Sequence, residues 1–124
     1  LRLAVVGTSA GGISALRRLF TALPDSFQAP MVVVQHLPSD SNIDPNLIFT
    51  TSRKVIIQEA LDKTQIEPGH IYFAPPGYHL LVERDGTLSL SQDDPANFSR
   101  PSIDVLFESA ADSFGNSTCG ILMT

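Results

Sequence analysis

The sequence has a single cysteine, Cys119, so no disulfide can close within the chain and nothing in it speaks for an oxidising compartment. Cations are scarce too. Eight lysines and arginines stand against thirteen aspartates and glutamates, a formal net charge of −5, and the cations form no cluster. A nucleic-acid surface needs a basic patch to neutralise phosphates, and that class is set aside. No run approaches the roughly 18 consecutive apolar residues of a membrane span. No charged region precedes a signal-like core, so no membrane insertion is expected and a cytoplasmic location follows by default. His70 and His79 flank a proline-rich turn without metal-ligand spacing, and neither a metal nor another cofactor is called for. Internal repeats and low-complexity segments are also lacking.

What is present is enough for one domain with a real core: 124 residues, 43% hydrophobic and 17% charged. Strand and helix patterns alternate. Leu3 to Val6 reads as a strand, followed by a helix from about Gly12 to Ala22. Ile13, Leu16, Leu19, Phe20 and Leu23 recur there at helical spacing, with Arg17 and Arg18 turned the other way. Met31 to Val34 is the continuous apolar run of a parallel strand covered on both faces. Val55–Ile57 and His70–Ala74 supply two more strands. His79–Glu83 and Thr87–Leu90 flank Asp85-Gly86, a two-residue turn that hairpins favour, and the alternating second arm predicts a solvent-exposed edge. Pro101 or Ser102 opens a helix through about Ser113, with Ile103, Leu106, Phe107, Ala110 and Phe114 on one side, and Gly115-Asn116 ends it. A buried strand over Gly120–Met123 closes the chain, which makes Cys119 an inert buried thiol; Tyr72, Phe73 and Phe107 belong to the core. The stretch from Ser41 to Lys54 resists assignment, because Pro45 and the run Thr50-Thr51-Ser52 weaken any helix. The expected fold is α/β: a doubly wound, mostly parallel sheet with an antiparallel β-hairpin at one edge.

The most informative segment is Gly7-Thr8-Ser9-Ala10-Gly11-Gly12, directly after the first strand. Glycines permit backbone angles that crowd other residues, and a helix start aims unpaired N–H groups at whatever sits beside it. A serine on such a turn is equipped to attack a carbonyl, with the oxyanion held by those N–H groups. Similar turns also cradle phosphates or simply pack a helix close to a sheet. Neither G-x-G-x-x-G nor Gly-Lys-Ser/Thr can be read here, which weakens the nucleotide reading without removing it.

His36 follows the second strand just as Ser9 follows the first. If the two strands are parallel neighbours, hydroxyl and imidazole meet at one carboxyl edge, the arrangement in which histidine takes the serine's proton and later returns it. Taken alone, each residue also fits a structural role. An α/β-hydrolase presents serine, acid and then histidine near its C-terminus, so the early His36 argues against that fold.

Four blocks carry a family resemblance: Gly7–Gly12, Val33-Val34-Gln35-His36-Leu37-Pro38, Glu67–Pro75 and Arg100-Pro101-Ser102-Ile103-Asp104-Val105-Leu106-Phe107. In this order, spanning nearly the whole chain, they resemble the catalytic domain of the chemotaxis protein-glutamate methylesterases. The resemblance implies Ser9 as nucleophile, His36 as base and the backbone N–H of Ala10 as half of an oxyanion hole. It implies hydrolysis of glutamyl γ-methyl esters on the cytoplasmic helices of methyl-accepting chemotaxis receptors, with glutamine deamidation as a related activity. A phosphorylated receiver domain often accompanies such domains. Arg100, ahead of the last helix, is a candidate for holding acidic receptor side chains or for a structural role. The family's catalytic aspartate and second oxyanion donor lie in a loop after the strand matching Ile121–Thr124. Residues 1–124 are therefore expected to be a methylesterase-like domain incomplete at its C-terminus, and the start at Leu1 rather than Met suggests a domain excised from a longer protein. Asp104 reads as a first-turn residue stabilised by the helix dipole rather than as that acid. Two other accounts stay open: a non-catalytic receptor-binding or regulatory module of the same fold, and a nucleotide-binding domain.

Overall fold

Runs of β-branched residues favour strands, and a strand buried on both faces must be apolar along its whole length. The run Met31-Val32-Val33-Val34 meets that condition and forms the centre of the fold. The computed structural model describes residues 2–36, 45, 49, 51, 54–96 and 99–123. Strand β1 (Leu3–Thr8) passes through a single 3-10 turn (Ala10–Gly12) into helix α1 (Ile13–Ala22). Then follow β2 (Met31–Gln35), β3 (Ile56–Glu59), β4 (His70–Phe73), β5 (His79–Val82) and β6 (Leu88–Ser91). Helix α2 (Ile103–Phe114), a second 3-10 turn (Gly115–Ser117) and β7 (Thr118–Met123) complete the order. Five strands form one sheet in the order β3-β4-β2-β1-β7, every neighbouring pair parallel. No described helix is long and apolar enough to cross a membrane.

Successive strand residues point to opposite faces, and the two faces build separate cores. On the α2 side, Leu3, Val5, Val32, Val34 and Tyr72 pack with Leu106 and Ala110. On the α1 side, Val6, Met31, Val33, Ile71 and Phe73 pack with Leu16 and Phe20. Phe49 joins the second core, its ring 5.1 Å from Phe20 edge-on and 5.4 Å from Phe73 in a stack. This is the doubly wound arrangement expected, with α1 and α2 beginning and ending where their caps allow. The Ser102 hydroxyl accepts from Val105 N at 3.4 Å, Asp104 sits in the first turn, and Gly115 at φ +51° ends α2.

Two expectations are corrected in detail. The antiparallel hairpin β5-β6 is present, but it makes a sheet of its own, because Leu80, Val82 and Leu88 bury on the α2 side of the core. Ser109 Oγ accepts from Val82 N at 2.9 Å and Ser113 Oγ donates to Val82 O at 2.8 Å, so α2 satisfies part of the open edge of β5. The last strand begins two residues earlier than read, and it is not buried. Cys119 is exposed, and β7 has β1 as its one partner among the described strands. The stretch 41–54 lies largely outside the described residues.

Candidate active site

Parallel pairing decides what the ends of β1 and β2 bring together. Thr8 and Gln35 are register partners, and His36 N donates to Thr8 O at 2.9 Å, which carries the ladder one step past both strands. Ser9 and His36 therefore leave adjacent strands side by side at the carboxyl rim, as the sequence reading required. Thr8 and Gln35 follow the alternation onto the α1 face, so Ser9 and His36 fall on the α2 face.

The turn that carries Ser9 is tightly specified. Ser9 is extended (φ −76°, ψ 172°), and its carbonyl accepts from Gly12 N at 2.9 Å and from the Thr8 hydroxyl at 3.0 Å. Its own N–H donates to Met123 O at 3.3 Å, tying the turn to β7. Thr8 is fully buried, and its hydroxyl occupies the space a Cβ at Gly12 would need. A Cβ at Gly7 would collide with the side chain of Ile103. That close approach seats the first turn of α2, and Arg100 to Ser102 ahead of it, on the same face as Ser9 and His36. Gly11 is different: a Cβ there would lie 4.0 Å from Ser9 Oγ, so its absence leaves room beside the hydroxyl.

The His36 Nε2 atom is buried and has no hydrogen-bond partner among the described residues, and the same holds for Gln35 Nε2. Buried polar atoms are satisfied in the great majority of cases, and exceptions concentrate where a ligand or a chemical step supplies the missing partner. A serine and a histidine leaving adjacent strands at one rim, ahead of a helix whose dipole favours negative charge, are residue types suited to nucleophilic attack on a carbonyl. Among the described residues no cluster of three or more histidine, cysteine, aspartate or glutamate side chains is arranged to hold a metal ion.

Other singled-out residues take structural positions. Arg100 Nη1 donates to the carbonyls of Gln92 (3.0 Å) and Asp93 (3.2 Å), while its Nε is buried without a partner among the described residues. His79 is buried, with Nε2 3.0 Å from Asp94 O, so both side chains grip the same loop. His70 holds its own turn, Nδ1 lying 3.0 Å from Pro68 O. Tyr72 accepts from Glu67 N and donates to Gln65 O, and burial is the main cause that pushes its phenol above the ordinary value. Thr8 and Gln35 are the members of the site that the sequence reading did not single out. The available signal was that each is a polar residue ending an otherwise apolar strand.

Comparison with known proteins adds an independent line. The family profile described as CheB methylesterase matches residues 4–124. A putative protein-glutamate methylesterase/protein-glutamine glutaminase of Leptospira interrogans is 43% identical over 120 residues, which cover 97% of this chain and 62% of the relative. The protein-glutamate methylesterase/protein-glutamine glutaminase of Halalkalibacterium halodurans is 41% identical over 110 residues, 86% of this chain and 32% of the relative. The chain thus spans less than two thirds of the length of these relatives. In structure it is similar to the Thermotoga maritima CheB methylesterase catalytic domain, with a TM-score of 0.87 and 31% identity over 99% of this chain and 67% of that one.

Proposed function

The chain belongs to the CheB methylesterase family, and from that premise we propose that Ser9 and His36 hydrolyse glutamyl γ-methyl esters on a protein substrate. His36 Nε2 takes the Ser9 proton as Oγ attacks the ester carbonyl. The tetrahedral oxyanion is held by the Ala10 N–H at the start of the turn. Collapse expels methoxide, which leaves as methanol with the proton from His36. Water, deprotonated by His36, then attacks the acyl-serine, and the products are a glutamate carboxylate and the restored hydroxyl. With a glutamine in place of the ester the leaving group is ammonia, which accounts for the second activity in the relatives' names. No cofactor enters these steps.

The observation that carries the reading is the meeting of Ser9 and His36 at one rim, with the imidazole Nε2 buried and without a hydrogen-bond partner among the described residues. The substrates are methyl-accepting chemotaxis receptors and the location cytoplasmic, with a receiver domain as the regulatory partner. Arg100 stands at the α2 start on the same face, its unpaired Nε a donor for an acidic neighbour of the ester. Asp104 is read as a first-turn residue of α2 stabilised by the helix dipole rather than as the orienting acid. Nothing observed favours a non-catalytic module or a nucleotide-binding domain over this reading.

The test is Ser9→Ala in the full-length protein. Methanol release from a methylated receptor fragment should fall at least about a thousandfold, because nucleophile and base act as a unit. The thermal midpoint should stay unchanged. Methanol release that survives the substitution removes Ser9 from the mechanism.

A further inference from the structure

Leu61 is 68% exposed, the most exposed large apolar residue among those described, and it does not sit on a loose loop. Thr64 N donates to Leu61 O at 3.1 Å, closing a turn. Lys63 N donates to Leu88 O and Leu88 N to Thr64 O, both at 2.8 Å, and Leu90 N donates to Asp62 Oδ1 at 2.9 Å. Lys63 is held at φ +66°, the one non-glycine residue with positive φ among those described. A lysine kept in the left-handed region by surrounding bonds is a conformation that the fold imposes, and such imposed conformations concentrate at functional sites.

The position of this turn supplies the meaning. Glu59 is in register with Phe73, Phe73 with Val33, and Val33 with Val6. Two residues further on, Leu61 stands level with Thr8 at the carboxyl rim. At the usual spacing of neighbouring strands, three inter-strand steps separate it from Ser9 by about 14 Å. Between them in sheet order is the segment after β4, where Pro76 is exposed, Gly77 turns at φ +80° and Tyr78 is half-buried. By sheet order Leu61, Pro76 and Tyr78 succeed one another along the rim towards His36 as an apolar shelf, with the exposed side chains of Asp62 and Lys63 following Leu61.

We infer that this shelf docks the substrate polypeptide next to the esterified glutamate, Leu61 anchoring an apolar side chain and Lys63 meeting neighbouring carboxylates; the inference rests on the esterase reading above. A single methyl ester offers little to bind, so a protein substrate must be held by contacts remote from the reacting carbon. A segment with unesterified glutamates brings negative charge to Lys63, and strand register puts the shelf on the same rim as the site where the ester must lie.

The experiment measures binding of a fluorescently labelled, methylated receptor cytoplasmic fragment to the full-length protein carrying Ser9→Ala, so that turnover does not interfere. Adding Leu61→Asp should weaken binding about tenfold, the scale of one anchoring side chain. Leu61→Gln should weaken it less, with the thermal midpoint of both unchanged. In the protein with Ser9 intact, Leu61→Asp should raise KM for the fragment and leave kcat unchanged. Undiminished binding, no binding even by the Ser9→Ala parent, or an equal loss of rate on a short peptide γ-methyl ester each overturns the shelf. A dimer that Leu61→Asp dissolves also overturns it, since the occupant is then a second copy. Failure of the esterase reading shows separately, as absence of methanol release from both substrates.

Discussion

At the residue scale the site is governed by small side chains that must be small for different reasons. Gly12 yields its Cβ position to the buried Thr8 hydroxyl, which donates to the carbonyl of Ser9. Gly7 yields its own to Ile103 of α2. Gly12→Ala therefore forces either Thr8 or the whole turn to move. It should destabilise the fold by about 1–3 kcal/mol, the cost of overpacking, and should lower methanol release by more than its stability loss explains. Gly11→Ala meets only ordinary contact with Ser9 Oγ, so it should leave the thermal midpoint within a degree or two of the parent. Paired thermal melts and methanol assays on the two variants separate these outcomes; a Gly12→Ala protein as stable as Gly11→Ala would refute the steric account. Ser9 and His36 were legible in the sequence because each is a polar residue directly after an apolar strand, and parallel pairing puts such positions on one rim. Thr8 and Gln35 were not, since only the register shows that they are buried beneath that rim, Gln35 at 8% exposure.

At the scale of elements, β1, β2, β4, α1 and α2 follow from period and capping, because strands buried on both faces and amphipathic helices state their environment in their own residues. The hairpin and β7 do not. Asp85-Gly86 announces a turn, yet which helix the hairpin covers depends on residues 20 or more positions away, namely Ser109 and Ser113 on α2. The apolar run Cys119–Met123 reads as a buried strand, whereas among the described residues it has β1 as its one partner and is exposed or half-buried, because burial depends on what lies beside a strand and no local pattern encodes that. The link between hairpin and helix is directly testable. Ser109→Ala with Ser113→Ala removes both hydroxyls from Val82 and leaves its N–H and C=O without their α2 partners. The pair should cost about 1–3 kcal/mol in chemical denaturation. Amide exchange at Val82 should accelerate far more than at Val32 in the central strand. Equal acceleration at both positions would mean that the serines support the whole fold rather than the hairpin edge.

At the scale of the whole molecule, one parallel sheet separates two cores, and the candidate site sits on the rim where both meet. Ile71 belongs to the core under α1 and Leu106 to the core under α2, and both are fully buried. The sheet lies between them, so substitutions on either side should act independently while the chain still unfolds in one step. Ile71→Val removes one methylene and should cost about 0.5–1.5 kcal/mol, and Leu106→Ala about 2–5 kcal/mol. Combined, the two losses should add to within about 0.5 kcal/mol in urea denaturation, with a single transition and an unchanged slope. A combined loss well short of the sum would show that the faces communicate through the sheet. Strain on the α1 side would then reach Ser9 and His36, which stand on the α2 face at its rim. Additive losses would instead leave the site sensitive chiefly to the α2 side, where Ile103 rests on Gly7 and fixes the start of the helix on the face of Ser9 and His36.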